Sequence, residues 1–221
     1  MTIKRDLPTI ALDELKLDSE HIKLTEDEEL DGNIIGSELE IITKIVSKLK
    51  PKRIFEIGTF DGRTTINLAQ NTPKETQVFT LDLPVDQVNL TKLKLYSKPE
   101  IDRDDTRYIN KQEIGLRYKK YSEKKKITQL LGDSATFNFN AYCKSMDFIF
   151  VDGSHSKDYV KNDTEVALRL ANNNSVVMWH DYTNWEDVTN VMNEYFKSDT
   201  RFKNLKHIKG TTFLYLNIQR T

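Results

Sequence analysis

The segment Arg53-Ile-Phe-Glu-Ile-Gly-Thr-Phe-Asp-Gly-Arg-Thr-Thr65 constrains the fold more than any other part of the chain. Ile54, Phe55 and Ile57 form a short apolar run interrupted by one acid, Glu56. Gly58 and Gly62 then frame a turn, and a run able to start a helix follows. Strand, glycine turn and helix in that order open a nucleotide-binding βαβ unit. A second apolar run, 78–81, ends in Asp82. Asp82 lies about 25 residues beyond Glu56, the spacing at which such units present an acid to a ribose diol. The two strand ends together point to a nucleoside cofactor. The loop lacks the third glycine of G-x-G-x-x-G, which argues against a nicotinamide.

A chain of 221 residues can bury the core of one α/β domain. With 33 basic and 34 acidic side chains the net charge is -1, so no global field favours nucleic acid or an anionic membrane. The single cysteine, Cys143, cannot form an internal disulfide, and no C-x-x-C zinc spacing exists. It reads as a small buried apolar residue. No apolar run approaches the ~20 residues of a membrane span, and the first residues lack the apolar core of a signal peptide. The expectation is a cytoplasmic protein with a small-molecule substrate, no nucleic acid and no membrane partner; a homodimer stays open.

Residues 1–33 are polar and acid-rich, and read as an N-terminal extension ahead of a domain at 34–221. The extension is either solvated or a cover for the cofactor. Residues 37–49 predict a helix, because Ile41, Ile42, Ile45, Val46 and Leu49 share one face and Pro51 stops it. Short apolar runs at 54–57, 78–81, 127–131, 148–151 and 176–179 predict five strands covered on both faces. Helices are expected between them at 64–70, within 134–143, and at 157–171, with another at 187–196 after the fifth. The alternation predicts a Rossmann-like, doubly wound α/β sheet, mostly parallel. At the end of the chain, 205–208 and 212–216 are joined by a link too short for a crossover helix, around Gly210. They predict an antiparallel hairpin and a total of seven strands. The segment 84–126 is too long for an ordinary connection and reads as an insertion over the substrate. Its basic run up to Lys126 is either a solvated face or a contact for an acidic substrate.

In an open parallel sheet, ligands bind beyond the carboxyl ends of the strands. Gly58 and Gly62 would let the turn approach a ligand closely, with Thr59, Phe60 and the helix start offering N–H donors. Glu56 would accept from an ammonium or orient the loop, and Asp82, followed by Leu83, would hold the ribose. Gly132-Asp133-Ser134 closes the third strand in the same crevice, where Asp133 and Ser134 either touch the adenine or cap the next helix.

With Phe150-Val-Asp-Gly-Ser-His155 and Trp179-His-Asp-Tyr182 added, these motifs resemble those of class I S-adenosylmethionine-dependent methyltransferases. The likeness is to their small-molecule O-methyltransferase-like branch and runs over roughly residues 35–217. It implies S-adenosylmethionine as cofactor and methyl transfer to a hydroxyl of a small molecule.

Asp152 ends the fourth strand, His180 and Asp181 end the fifth, and His155 follows on the next turn. Neighbouring strands lie ~4.8 Å apart, so these groups can converge. Asp152, His180 and Asp181 would hold a divalent ion that acidifies the acceptor hydroxyl. The imidazole favours manganese, iron or zinc over magnesium. The metal-free alternative uses His155 or His180 as a general base oriented by an aspartate. Beside the transferase stand a metal-dependent hydrolase- or hydroxylase-like enzyme of the same fold and a non-catalytic cofactor-binding protein. Trp179, Tyr182 and Trp185 are either an aromatic pocket or core, Asp163 braces a loop, and His21 and His207 have no catalytic role.

Overall fold

The computed structural model describes residues 7–17, 21–95, 106–109 and 113–219. Strands β1 (Thr9–Ile10), β2 (Arg53–Ile57), β3 (Gln77–Asp82), β4 (Ile127–Leu131), β5 (Met146–Val151), β6 (Ala171–Trp179), β7 (Lys206–Ile208) and β8 (Leu214–Asn217) form one sheet. Their order is β1-β7-β8-β6-β5-β2-β3-β4. The five strands from β4 to β6 run parallel. β8 lies antiparallel to β6 and β7 antiparallel to β8, so the expected hairpin closes the sheet.

Alternation along the central strands splits the core in two. Ile54, Phe148, Phe150, Val176 and Met178 face one side, where Ile42, Ile45 and Val46 of α1 (Gly36–Leu49) and Leu68 of α2 (Arg63–Gln70) cover them. Phe55, Ile57, Ile149, Val151, Val177 and Trp179 face the other. There they meet Val160 and Ala167 of α4 (Lys157–Leu170) and Val188, Val191 and Met192 of α5 (Glu186–Ser198). Each large apolar side chain buried this way contributes roughly 1.5–3 kcal/mol. α1 stops where expected: Lys50, at φ 48°, closes it through its N–H to the Val46 carbonyl, ahead of Pro51. From β2 the chain winds outward through β3 and β4, then crosses back to β5 on the other side. The strand order therefore reverses at β2, and a crevice opens there between diverging connections.

Three segments depart from expectation. The seven anticipated strands gain an eighth, β1, which pairs with β7 through Thr9–His207 and Ile10–Ile208. Leu7 and Ile10 are buried beside it, an apolar signal too brief for periodicity to reveal. Residues 134–143 form no α-helix; only a single 3-10 turn, Asn140–Tyr142, appears. Phe137, Phe139 and Tyr142 of this stretch close into an aromatic cluster with Phe55 instead. The insertion holds a one-turn helix, α3 (Thr106–Ile109), and 3-10 turns at Val85–Leu90, Tyr118–Lys120 and Ser122–Lys126. Its basic run is not one solvated helical face: Lys120 pairs with Glu26, and Lys126 donates to the carbonyls of Ala69 and Thr72.

Residues 21–34, polar as they are, are tied to the domain by hydrogen bonds. Asn67 on α2 and Asn71, which caps its end, each bond both ways to a backbone, at Thr25 and Lys23 respectively. Arg63 donates to the carbonyls of Glu26 and Ile34, and Arg117 to that of Glu28. Arg117 also pairs with Asp61 at 2.8 Å, with the two side chains only 7% and 0% exposed. Asp61 in turn accepts from Asn33. Among the described residues, no helix is long and apolar enough to cross a membrane.

Removing one partner of a buried pair strands the other charge. Asp61→Ala is expected to cost about 3–5 kcal/mol in a urea unfolding titration. A loss below about 1 kcal/mol would mean that this bridge does not anchor the segment.

Candidate active site

A cavity of about 350 Å³ opens at the carboxyl ends of the parallel strands. Of the residues singled out from the sequence, Gly58, Phe60, Asp82, Leu83, Asp133, Ser134, Asp152, His155, His180 and Asp181 line it. Glu56, Thr59 and Gly62 do not, and each has a different reason.

Gly58 sits at φ +97°, and a Cβ there would fall 1.9 Å from the carbonyl oxygen of Asp152. This glycine therefore lets β2 and β5 close on each other. The ladder continues through it, with Gly58 N–H donating to Leu81 and Asp152 N–H to Ile57. Gly62, at φ +85°, turns its missing Cβ toward the ring of Tyr118 at 2.7 Å, so it gives room to the insertion rather than to a ligand. Thr59 points inward, sharing a 2.6 Å hydroxyl contact with Thr80 and accepting from Gln129.

Glu56 lies beneath this loop, fully buried, with the hydroxyls of Thr65 and Thr80 donating to its Oε2 and no partner on Oε1. Burial pushes its carboxyl up to about 8, against the hydrogen bonds of the two threonines. Asp82 braces the loop from the side. Its Oδ2 accepts from the N–H groups of Thr59 (3.0 Å) and Phe60 (2.6 Å), and its Oδ1 from Leu83 (2.7 Å). It still faces the cavity, although burial raises its carboxyl above the ordinary range.

Asp133 caps the following turn through Ala135 N–H and also accepts from Tyr159 and from Lys92 N–H. Ser134 donates to Asp163 at 2.6 Å. Asp163 is 1% exposed, lines the cavity, and is pushed up to about 6 by burial. Tyr159 is absent from the residues the sequence picks out, yet it lies one helical turn before Asp163 on α4, and that spacing puts both on the cavity face.

The other end of the cavity gathers charge. His180 Nδ1 lies 3.0 Å from Asp152 Oδ1 and 3.1 Å from Asp181 Oδ2. Its Nε2 lies 3.0 Å from Oε2 of Glu38, a residue of α1 that the sequence does not single out. Burial disfavours the charged ring, but Asp181 and Asp152 outweigh it and hold the imidazole well above its usual range. Burial likewise raises Glu38, and His180 with the Thr212 N–H more than reverses it. Both ring nitrogens of His180 thus face carboxylates, an arrangement that favours its protonated form.

His155 Nε2 meets Asp181 Oδ2 at 2.7 Å, and its ring stacks on Trp185 at 4.0 Å. Asp181 occupies the left-handed region at φ 64°, a conformation that aspartate tolerates better than most residues and that turns its carboxylate back toward both histidines. Trp185 lines the cavity, whereas Trp179 and Tyr182 are core residues that donate to Thr164 and Asn193. His207 is buried against the Thr211 carbonyl. Cavity walls also come from Asp31, Gly32 and Asn33 of the polar N-terminal segment and from Leu95, Tyr108 and Ile114 of the insertion.

The donor set suits a divalent cation. Asp152, His180 and Asp181 each present one ligand atom, all within 4.8 Å of one another. Bonds of ~2.1 Å at right angles put donor atoms ~3.0 Å apart. The two edges running from His180 Nδ1 measure 3.0 and 3.1 Å.

Glu56 makes stability depend on pH. Its folded value is raised, so the folded chain binds this proton more tightly than the unfolded chain. Stability from this group is then full in acid and is lost as pH climbs from the ordinary carboxyl range toward 8. Glu56→Gln is expected to flatten that decline in melting curves taken from pH 5 to 8. Parallel curves for the two proteins would contradict a neutral buried Glu56.

Comparison with known proteins agrees with this architecture. The structure resembles an O-methyltransferase of Klebsiella pneumoniae so described provisionally (TM-score 0.59, 17% identity, 85% of this chain and 82% of that one). It also resembles the SAH-bound methyltransferase PaMTH1 of Podospora anserina (TM-score 0.61, 14% identity, 86% and 81%). A third neighbour is TomG of Streptomyces achromogenes, an O-methyltransferase of tomaymycin synthesis in complex with SAM (TM-score 0.58, 16% identity, 92% and 95%). At these identities the likeness is one of fold. No curated protein matches in sequence. Residues 55–182, from the first central strand through the His180-Asp181 turn, match the family model described as a methyltransferase domain. The chain belongs to that methyltransferase-domain family.

Proposed function

We propose that the protein transfers a methyl group from S-adenosylmethionine to a hydroxyl of a small molecule, with a divalent cation assisting. One observation carries this reading: a single cavity joins the Gly58–Asp82–Asp133 end to the Asp152–His180–Asp181 end. The SAM and SAH complexes of the structural neighbours support the choice of cofactor.

In this reading the backbone around Gly58 and Phe60 faces the methionine portion, Asp82 takes the ribose, and the Asp133-Ser134 turn with Asp163 meets the adenine. Asp152 would then stand at the end of the cavity where the methyl is transferred. Asp152, His180 and Asp181 would hold the cation. Bound there, it supplies the Lewis acidity that makes an acceptor hydroxyl acidic near neutral pH. The oxygen forms its bond to the methyl carbon as the carbon–sulfur bond breaks, leaving a neutral thioether, and the hydroxyl proton passes to a base. His155, oriented by Asp181 and by stacking on Trp185, is the residue best set to take it. Most of the rate then comes from holding the oxygen and the sulfonium in line.

Calorimetry with S-adenosylhomocysteine tests the cofactor half. Wild type should bind, and Asp82→Ala should bind at least tenfold more weakly, because the loop loses two backbone contacts, at Thr59 and Phe60, along with the ribose acceptor. A wild type that does not bind would end the proposal. For the reaction half, Asp152→Asn should abolish methyl transfer across a panel of hydroxylated small molecules, read by mass spectrometry, while leaving S-adenosylhomocysteine affinity within about twofold. Full activity in that variant would move the chemistry elsewhere.

A further inference from the structure

We propose that Glu38 is a positioning residue for the cation site: it fixes which nitrogen of His180 carries the hydrogen and so leaves the other to face the metal. The inference rests on the metal-assisted reading above and adds a residue to it.

Glu38 is the third residue of α1, counting from the N-cap Ile35. A glutamate at this position ordinarily folds back onto its own helix start, as in a capping box. Here it does not. The N-cap Ile35 has no polar side chain to complete a capping box, and the next N–H, that of Gly36, goes to Glu29. The Glu38 carboxylate, 3% exposed, reaches two remote groups: Nε2 of His180, 142 residues away, and the N–H of Thr212 in the closing hairpin. Helix capping therefore leaves this buried carboxylate unexplained, and the reaction site accounts for it.

A carboxylate only accepts hydrogen bonds, so the nitrogen facing it must carry hydrogen. Nδ1 also faces carboxylates, so both nitrogens carry hydrogen until a cation takes the place at Nδ1; Glu38 then keeps the remaining hydrogen on Nε2. Nδ1 is left toward Asp152 and Asp181, at the donor spacing noted above. Metal-ligating histidines commonly donate their other N–H to a carboxylate in this way, and loss of that partner weakens metal binding ~10–100-fold.

Glu38→Gln inverts the arrangement with little change in shape. The amide oxygen stays with the Thr212 N–H, so the amide NH2 faces His180 and demands a lone pair on Nε2. The hydrogen then moves to Nδ1 and blocks it. Titration calorimetry with Mn²⁺ should show ~10–100-fold weaker binding for Glu38→Gln than for wild type. Affinity for S-adenosylhomocysteine should stay unchanged. The loss should also vanish in a His180→Ala background, since Glu38 acts only through that ring.

Equal Mn²⁺ affinity in wild type and Glu38→Gln would overturn the role of Glu38 and leave the metal reading intact. A wild type that binds no Mn²⁺ would overturn both, while S-adenosylhomocysteine binding would still report on the transferase reading. Should the variant fail to fold, nitrogen-detected NMR on wild type loaded with Zn²⁺ decides the matter. The expected spectrum has His180 protonated at Nε2 and bare at Nδ1, and a protonated Nδ1 would refute the assignment.

Discussion

The closure of β2 on β5 at their carboxyl ends governs the rest of the site. Gly58 takes a backbone conformation that L side chains rarely adopt, in the space occupied by the Asp152 carbonyl. That contact sets Asp152 next to the glycine loop. If the two strand ends were held apart by a side chain, Asp152 would shift relative to the loop and the single cavity would divide. Methyl transfer of the kind proposed depends on in-line geometry, so a displacement near 1 Å would matter more than any one lost hydrogen bond. The glycine is a structural requirement first and a ligand contact second.

Around that junction, the loop is held in place by acids. Asp82 holds it through the N–H groups of Thr59 and Phe60, Glu56 lies beneath it on the hydroxyls of Thr65 and Thr80, and Asp61 ties it outward to Arg117 and Asn33. The last of these brings the polar N-terminal segment into the wall of the cavity. A segment with so few apolar residues gains little from burial, and here arginines and asparagines reading its backbone carbonyls substitute for a hydrophobic face. Such buried charge-assisted bonds are stronger than neutral ones, and losing one partner leaves the other charge buried without compensation.

This division explains what could be read from the chain in advance. The parallel strands and the closing hairpin are written in apolar runs and link lengths, which are local, whereas the strand order with its reversal at β2 is not. Asp152, His180 and Asp181 are likewise legible, because each ends a strand and neighbouring strands must bring them together. Glu38 is not. An acid in the first turn of an amphipathic helix already has a sufficient local reason, the helix dipole, and its true partners are far away in sequence. The same holds for Gly62, whose freedom serves the ring of Tyr118 in the insertion, and for the two residues of β1, too few to carry a period. Backbone-directed hydrogen bonds from Arg63 and Arg117 leave no pattern at all.

The electrostatics of the cavity then bear on what it can hold. Among the described residues, its lining includes Asp31, Glu38, Asp82, Asp133, Asp152, Asp163 and Asp181, and no lysine or arginine. Asp152 and Asp181 bring oxygens within 4.8 Å of each other. At an effective dielectric of 20, two unit charges at that distance repel by roughly 3–4 kcal/mol. Positive charge is favoured among them, and these carboxylates together with Glu38 on the far side hold His180 toward its protonated form. A divalent cation at Nδ1 would displace that proton and take over the same neutralising role, so cation and proton compete for one place. The sulfonium of the proposed cofactor is also a cation, and it enters a cavity whose fixed charges favour it over its neutral thioether product. The same field that recruits the cofactor would then ease the product's departure.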